Sequence, residues 1–231
     1  MTTAMEQLSP QLMNRLVFAV IMHGLNDSQT KLALSVLTDA LNNDNANIRE
    51  LAVVALADLS VAPEKRVPAL ALALRDEQAK VRRRAARALG DQGVASVAAF
   101  AELKQGLNDP DLSVRRDCAG ALGRLGPAAG RAAPALVAML RETEYRTRAV
   151  VAVSLKRLGR GAIPALLDGV RSECSTLRGR CATLLGRIAP DDADVADVLQ
   201  RVLTDSDSEV RARADEALQL ICTPPPIPLA V

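Results

Sequence analysis

Three stretches of this chain, KVRRRAARALGDQG at 80–93, SVRRDCAGALGRLG at 113–126 and RTRAVVAVSLKRLG at 146–159, write one pattern at a 33-residue interval. The arginine that marks the pattern recurs as Arg49, Arg82, Arg115, Arg148, Arg178 and Arg211, at intervals of 33, 33, 33, 30 and 33. Self-similarity at such a period means stacked copies of one supersecondary unit, because no single copy can bury its own apolar face. A fold of any other class would have to ignore it.

Inside each copy the spacing is helical. Small or apolar residues stand three, six and seven positions after the arginine: Ala85, Ala88 and Leu89, then Cys118, Ala121 and Leu122, then Ala214, Ala217 and Leu218. That spacing marks one face of a helix. Gly90, Gly123 and Gly186 share one position behind this face, where a missing side chain lets a neighbouring helix approach. A first helix precedes it. VPALALAL, APALVAML and IPALLDGV each place a proline (Pro68, Pro134, Pro164) just before a Leu-rich run, and proline is tolerated in a first helical turn. An acidic turn follows: Asp76, Asp109, Glu142 and Asp205 each lie six residues before the repeat arginine. Asp111, Ser113 and Ser208 are the residues expected to cap the second helix.

The composition agrees with helices. The chain holds no Trp, one Tyr (Tyr145) and two Phe, whereas sheets draw on aromatic and β-branched residues. The expected fold is all-α, a right-handed α-solenoid of about six helix pairs. Residues 1–222 read as one domain, with a capping helix over about 9–25 and repeats over about 30–222; GLND at 24–27 echoes GLND at 106–109. The proline-rich tail, 223–231, is expected to be extended.

The frame Asp…Val-Arg…Ala…Ala-Leu-Gly…Leu-Gly, as in DPDLSVRRDCAGALGRLG at 109–126, resembles the HEAT-repeat superfamily. The resemblance is to the short HEAT-like repeats of bacterial proteins and phycobilisome lyase subunits, and it covers nearly the whole chain. Ankyrin and tetratricopeptide signatures are absent. In the family the repeat arginine pairs with the acidic turn and ties successive repeats together. Five of six copies here carry an acid five or six positions upstream of it, and the Arg178 copy offers Ser172 and Glu173. Guanidinium suits such paired, partly buried sites better than an ammonium.

The resemblance also implies that the second helices line a concave face, with positions one, two, five and nine after the repeat arginine pointing into it. Between residues 81 and 187 these positions hold Arg83, Arg84, Arg87, Arg116, Arg124, Arg157, Arg180 and Arg187 against two acids, Asp91 and Asp117. One copy inserts Ala149, Val150 and Val153 instead, an apolar island between basic neighbours. An exposed apolar patch rimmed by charge is the usual anatomy of a protein contact. These residues are therefore the candidate partner-binding set, for a partner protein with an acidic segment.

Other classes fare worse. The whole-chain charge is only +2, from 29 basic and 27 acidic side chains, so no generally basic nucleic-acid tail exists. HEAT-like DNA glycosylases use aromatic side chains in the groove, and Tyr145 lies outside the groove pattern. Phosphate-backbone binding stays as the alternative, and a bilin-lyase-like subunit as a lesser one. There is no Gly-rich phosphate loop and no Gly-x-Ser-x-Gly elbow. The single histidine, His23, cannot supply the paired His-Glu motifs of HEAT-like hydroxylases. The cysteines 118, 174, 181 and 222 lack metal spacing and read as small buried hydrophobes. Neither cofactor nor metal is expected. The longest strongly apolar run, LVFAVIM at 16–22, is far short of the roughly 20 residues that span a bilayer. With no basic n-region at the start, the chain is expected in the cytoplasm.

Overall fold

A computed structural model describes residues 26–142 and 144–222, apart from the Cys222 side chain; the expected capping helix at 9–25 and the tail at 223–231 lie outside them. Among the described residues every regular element is helical. They form six pairs of a first and a second helix: α1 (Asp27–Ala40) with α2 (Ala46–Asp58), α3 (Pro63–Ala73) with α4 (Ala79–Asp91), α5 (Phe100–Gln105) with α6 (Leu112–Arg124), α7 (Ala133–Met139) with α8 (Tyr145–Leu158), α9 (Ile163–Gly169) with α10 (Ser175–Ile188), and α11 (Ala193–Val202) with α12 (Ser208–Cys222). No helix among the described residues is long and apolar enough to cross a membrane.

The chain divides into two compact units, one through Leu125 and one from Gly126. In the first, Leu37, Leu56, Leu70, Leu89, Leu103 and Leu122 are fully buried; in the second, Leu136, Leu155, Leu166 and Leu185 are. Leucine and alanine do the packing that aromatics do elsewhere. The residues three, six and seven positions after the repeat arginine are buried as expected in the copies that begin at Arg82 and Arg115. In the last copy Ala214 and Ala217 are buried and Leu218 is only partly so.

Each unit packs by matched sizes. A Cβ built on Gly106 would lie 2.4 Å from the Cys118 sulfur, and one on Gly169 would lie 2.4 Å from the Cys181 sulfur. A cysteine on the second helix therefore fills the space its partner glycine leaves on the first. Gly186 lets α10 meet α12, since its Cβ would lie 2.7 Å from the Cβ of Ala217 and 2.8 Å from its carbonyl oxygen.

Several local expectations need correction. Pro68 is not in a first turn: Pro63 opens α3, and Pro68 sits inside it, where its ring forfeits a bond to the preceding turn. Pro134 and Pro164 do occupy the first turn. Asp111 caps α6 by accepting from the amides of Ser113 (2.8 Å) and Val114 (3.1 Å). Asp207, not Ser208, does the same for α12, accepting from Glu209 (2.8 Å) and Val210 (3.3 Å). Cys174 is exposed, just before α10, whereas Cys118 and Cys181 are buried.

Left-handed glycines end three second helices: Gly93, Gly126 and Gly159, with φ of +56°, +63° and +60°. They keep the 33-residue period, so the shorter interval arises after them. The 3-10 segment that follows spans Gly126–Ala132 in one copy and Gly159–Ala162 in the next. The missing three residues come out of this corner, and the helices keep their length.

Candidate functional site

Three of the repeat arginines, Arg49, Arg82 and Arg178, are structural, and their acids come from the next copy. Arg82 donates from Nε and Nη2 to the two carboxylate oxygens of Asp109, at 2.7 and 2.8 Å, and from Nη1 to the carbonyls of Asp76 (2.8 Å) and Glu77 (2.9 Å). Arg49 meets Asp76 in the same way, and Arg178 meets Asp205. The acid six residues upstream thus offers its backbone, while its carboxylate serves the arginine of the preceding copy. Pairing within one copy, as the spacing suggested, is replaced by a bidentate link 27 residues long. Side-chain hydrogen bonding to Asp76 and to Asp109 raises the pKa of Arg49 and of Arg82 above its ordinary value, against the opposing effect of burial.

In the first unit the groove arginines are largely neutralised. Arg83 and Arg87 share Asp117 at 3.3 and 3.0 Å. Arg84 lies 3.6 Å from Glu50, which also takes Lys80 at 3.7 Å, and Arg124 lies 3.6 Å from Asp91. Arg116 donates to the Ser113 hydroxyl at 3.4 Å. The basic excess counted along the sequence is thus reduced by acids of neighbouring copies, Glu50 among them.

The second unit differs. A cleft of about 520 Å³ opens between α8, α10 and α12. Leu140, Ala149, Ala152, Val153 and Leu184 supply its apolar lining, and Arg148, Lys156, Arg180, Arg187 and Arg213 supply five cations. Tyr145 and Thr183 complete it, and none of its described lining residues is a carboxylate. Arg180 is half-buried and donates to the Leu140 carbonyl. Burial, and then the charges of Arg148 and Arg213, push its pKa below the ordinary arginine value. Arg213 is held by Glu209 at 2.6 Å, and the Arg148 guanidinium sits 5.8 Å from the centre of the Tyr145 ring, within cation–π range.

Of the predicted site residues, this cleft gathers Val153, Arg180 and Arg187. Val150 is half-buried and Arg157 exposed, and neither lines it. Arg83, Arg84, Arg87, Arg116 and Arg124 belong to the first unit. Sequence reading missed Tyr145, Arg148, Lys156 and Arg213. Arg213 stands at position two of the last copy, the same slot as Arg180, so extending the count past residue 187 would have found it. Tyr145 sits three residues before its repeat arginine, outside the groove positions, yet it lines the cleft because α8 begins at its mouth. Ser172 is also informative: it stands where Asp76, Asp109 and Asp205 bring a ladder carboxylate, so that position brings a hydroxyl instead. Among the described residues no group of three or more His, Cys, Asp or Glu side chains is placed to hold a metal.

Comparison with known proteins fits this architecture. The family model for HEAT repeats matches residues 67–156 and 163–230. No curated protein sequence matches the chain. Among solved structures, part of importin beta is similar at a TM-score of 0.64 and 16% identity, over 94% of this chain and 32% of that one. An engineered protein is similar at 0.54 and 24% identity, over 85% of this chain and 97% of its own. A designed armadillo repeat protein gives 0.52 and 14%, over 81% and 99%. These likenesses show the fold. The helix pairs, the arginine–aspartate ladder and the family match together place this chain in the HEAT-repeat family.

Proposed function

We propose that this chain is a non-catalytic scaffold that binds a partner protein through the face made by its second helices. The observation that carries this reading is the cleft of the second unit, where apolar side chains and five cations share one lining with no carboxylate among the described residues. Fixed positive charge beside apolar surface suits a protein segment that brings acidic and apolar side chains together. In this reading the arginines of the first unit, Arg83, Arg84, Arg87, Arg116 and Arg124, are a separate set of partner contacts, in which the four now paired with acids exchange them for those of a partner.

Phosphate-backbone binding is the second reading, and the same cations favour it. Five cations would allow a log–log salt slope of at most about −4.5 on duplex DNA, at about −0.9 per phosphate neutralised. The apolar lining has no part in such binding. Affinity capture with the full chain as bait tests the scaffold reading, comparing wild type with a combined Arg84→Glu, Arg87→Glu, Arg180→Glu and Arg187→Glu variant. Partners retained by wild type and lost by the variant are expected. Equal recovery by both sinks it, as does sub-micromolar retention of random duplex DNA at about 150 mM salt.

A further inference from the structure

The two units carry similar numbers of groove arginines and use them differently. In the first, Asp117, Glu50 and Asp91 lie within 3.0 to 3.6 Å of Arg83, Arg84, Arg87 and Arg124. In the second, none of the cleft's described lining residues is a carboxylate, and Glu209, outside that lining, holds Arg213 at 2.6 Å. Half-buried Arg180 feels the charges of Arg148 and Arg213 and has its Nη1 on the Leu140 carbonyl. Holding like charges together in a half-buried place is unfavourable unless an anion relieves it. The first unit meets most of its groove arginines with acids. The second sets the Arg180 and Arg187 guanidinium groups on a cleft wall whose described lining residues include no carboxylate.

The lining decides what kind of anion. Ala149, Ala152 and Val153 follow one face of α8, and Val153 is 48% exposed. A volume of about 520 Å³ lies within the roughly 300–1,000 Å³ of ligand-sized pockets, so the cleft takes a short segment and not the face of a folded domain. A phosphodiester chain offers charge at every step and no aliphatic group between. The Tyr145 ring, which could stack a base, already carries Arg148. A peptide can place an aliphatic side chain and carboxylates within a few ångströms of each other.

Building on the scaffold reading above, we propose that the α8–α10–α12 cleft is a receptor for a short acidic peptide segment with aliphatic residues at its centre. The aliphatic side chain packs on Ala149, Ala152 and Val153. Flanking carboxylates pair with Arg180, the central anion contact, and with Arg187 and Arg213. For Arg213 the incoming carboxylate replaces Glu209.

Fluorescence anisotropy on the full chain tests this, with a fluorescein-labelled peptide DDELLEDD as probe and DDESSEDD and KKKLLKKK as controls. DDELLEDD is expected to bind in the micromolar range, DDESSEDD at least about tenfold more weakly, and KKKLLKKK not at all. Arg180→Gln and the exposed Arg187→Gln are each expected to weaken DDELLEDD by at least about fivefold, and Arg171→Gln, exposed and outside the cleft, by less than twofold. The Arg187 variant keeps the test decisive if Arg180→Gln disturbs folding, which circular dichroism reports. Equal binding of DDELLEDD and DDESSEDD overturns the proposal, as do equal losses from Arg171→Gln and Arg187→Gln, or no DDELLEDD binding below about 1 mM. Captured partners that persist while the peptide fails leave the scaffold reading standing and remove only this site.

Discussion

Arg178 and Asp205, 27 residues apart in sequence, meet in two parallel hydrogen bonds of 2.7 Å each, with both side chains largely buried. The remaining arginine nitrogen, Nη1, donates to the carbonyls of Ser172 and Glu173, both at 3.0 Å. One side chain therefore closes its own turn and locks the next. Bidentate charge-assisted pairs of this kind are the strong ones, and removing one partner leaves the other charge desolvated and unpaired. Asp205→Asn is expected to destabilise the protein by about 2–3 kcal/mol in urea titrations, and Arg178→Lys by a similar amount, since an ammonium cannot make the fork. A loss under about 0.5 kcal/mol would show the rung to be ornamental.

The same pair sets a pH dependence. The Arg178 hydrogen bond holds the Asp205 carboxyl below the usual aspartate range, against the opposing effect of burial. A depressed folded pKa contributes stability that is fully present above the unfolded value, about 3.9, and is lost as pH falls through the folded one. The stability gap between wild type and Asp205→Asn should be constant above about pH 5 and shrink below about pH 4. Thermal melts from pH 2.5 to 7 read it directly, and a gap that widens on acidification contradicts the assignment.

Gly186 and Gly159 should fail for different reasons. Gly186→Ala drives a methyl group to within 3 Å of the backbone and Cβ of Ala217, an overpacking cost of about 1–3 kcal/mol. Ala217→Gly removes one of those clashes and should recover part of the loss. Nothing lies within 4 Å of a Cβ on Gly159, but its φ is +60°, so Gly159→Ala should cost about 1–2 kcal/mol from backbone strain alone. With ψ at −138° the position lies outside the left-handed helical well that Asn tolerates, so Asn should cost as much as Ala. A loss under about 0.5 kcal/mol from either would argue against strain.

Burial separates the cysteines. The Cys118 and Cys181 thiols are each pushed up to about 12, by burial first of all, so at pH 8 both are neutral and unreactive. Cys174 is exposed. Brief iodoacetamide treatment of the folded protein, mapped by mass spectrometry, should label Cys174 and spare Cys118 and Cys181 until denaturant is added.

Val153, and not Val150, should carry the apolar contact in the cleft. Val153→Asp is expected to weaken DDELLEDD binding at least about tenfold in anisotropy titrations, because it places a carboxylate on the lining that the peptide's aliphatic side chain needs. Val150→Asp, outside the lining, is expected to change it less than threefold. The reverse order would return the contact to the position that spacing alone had suggested.

The repeat was legible in the sequence because it is written in local rules. The 33-residue period, the spacing of Ala85, Ala88 and Leu89, and the Asp111 cap each depend on residues within a turn or two of one another, where 3.6-residue geometry leaves little choice. Counting arginines at fixed positions also located Arg180 and Arg187. Tertiary structure decided which acid each paired arginine meets. Asp117 reaches back over 30 and 34 residues to Arg87 and Arg83, and Asp205 over 27 to Arg178, distances at which partner choice follows from how one helix pair stacks on the next. Local spacing could not tell an acid that serves its own copy from one that serves its neighbour. Nor could it bring Tyr145, Lys156 and Arg213 to one cleft, because three helices must pack before those side chains share a wall.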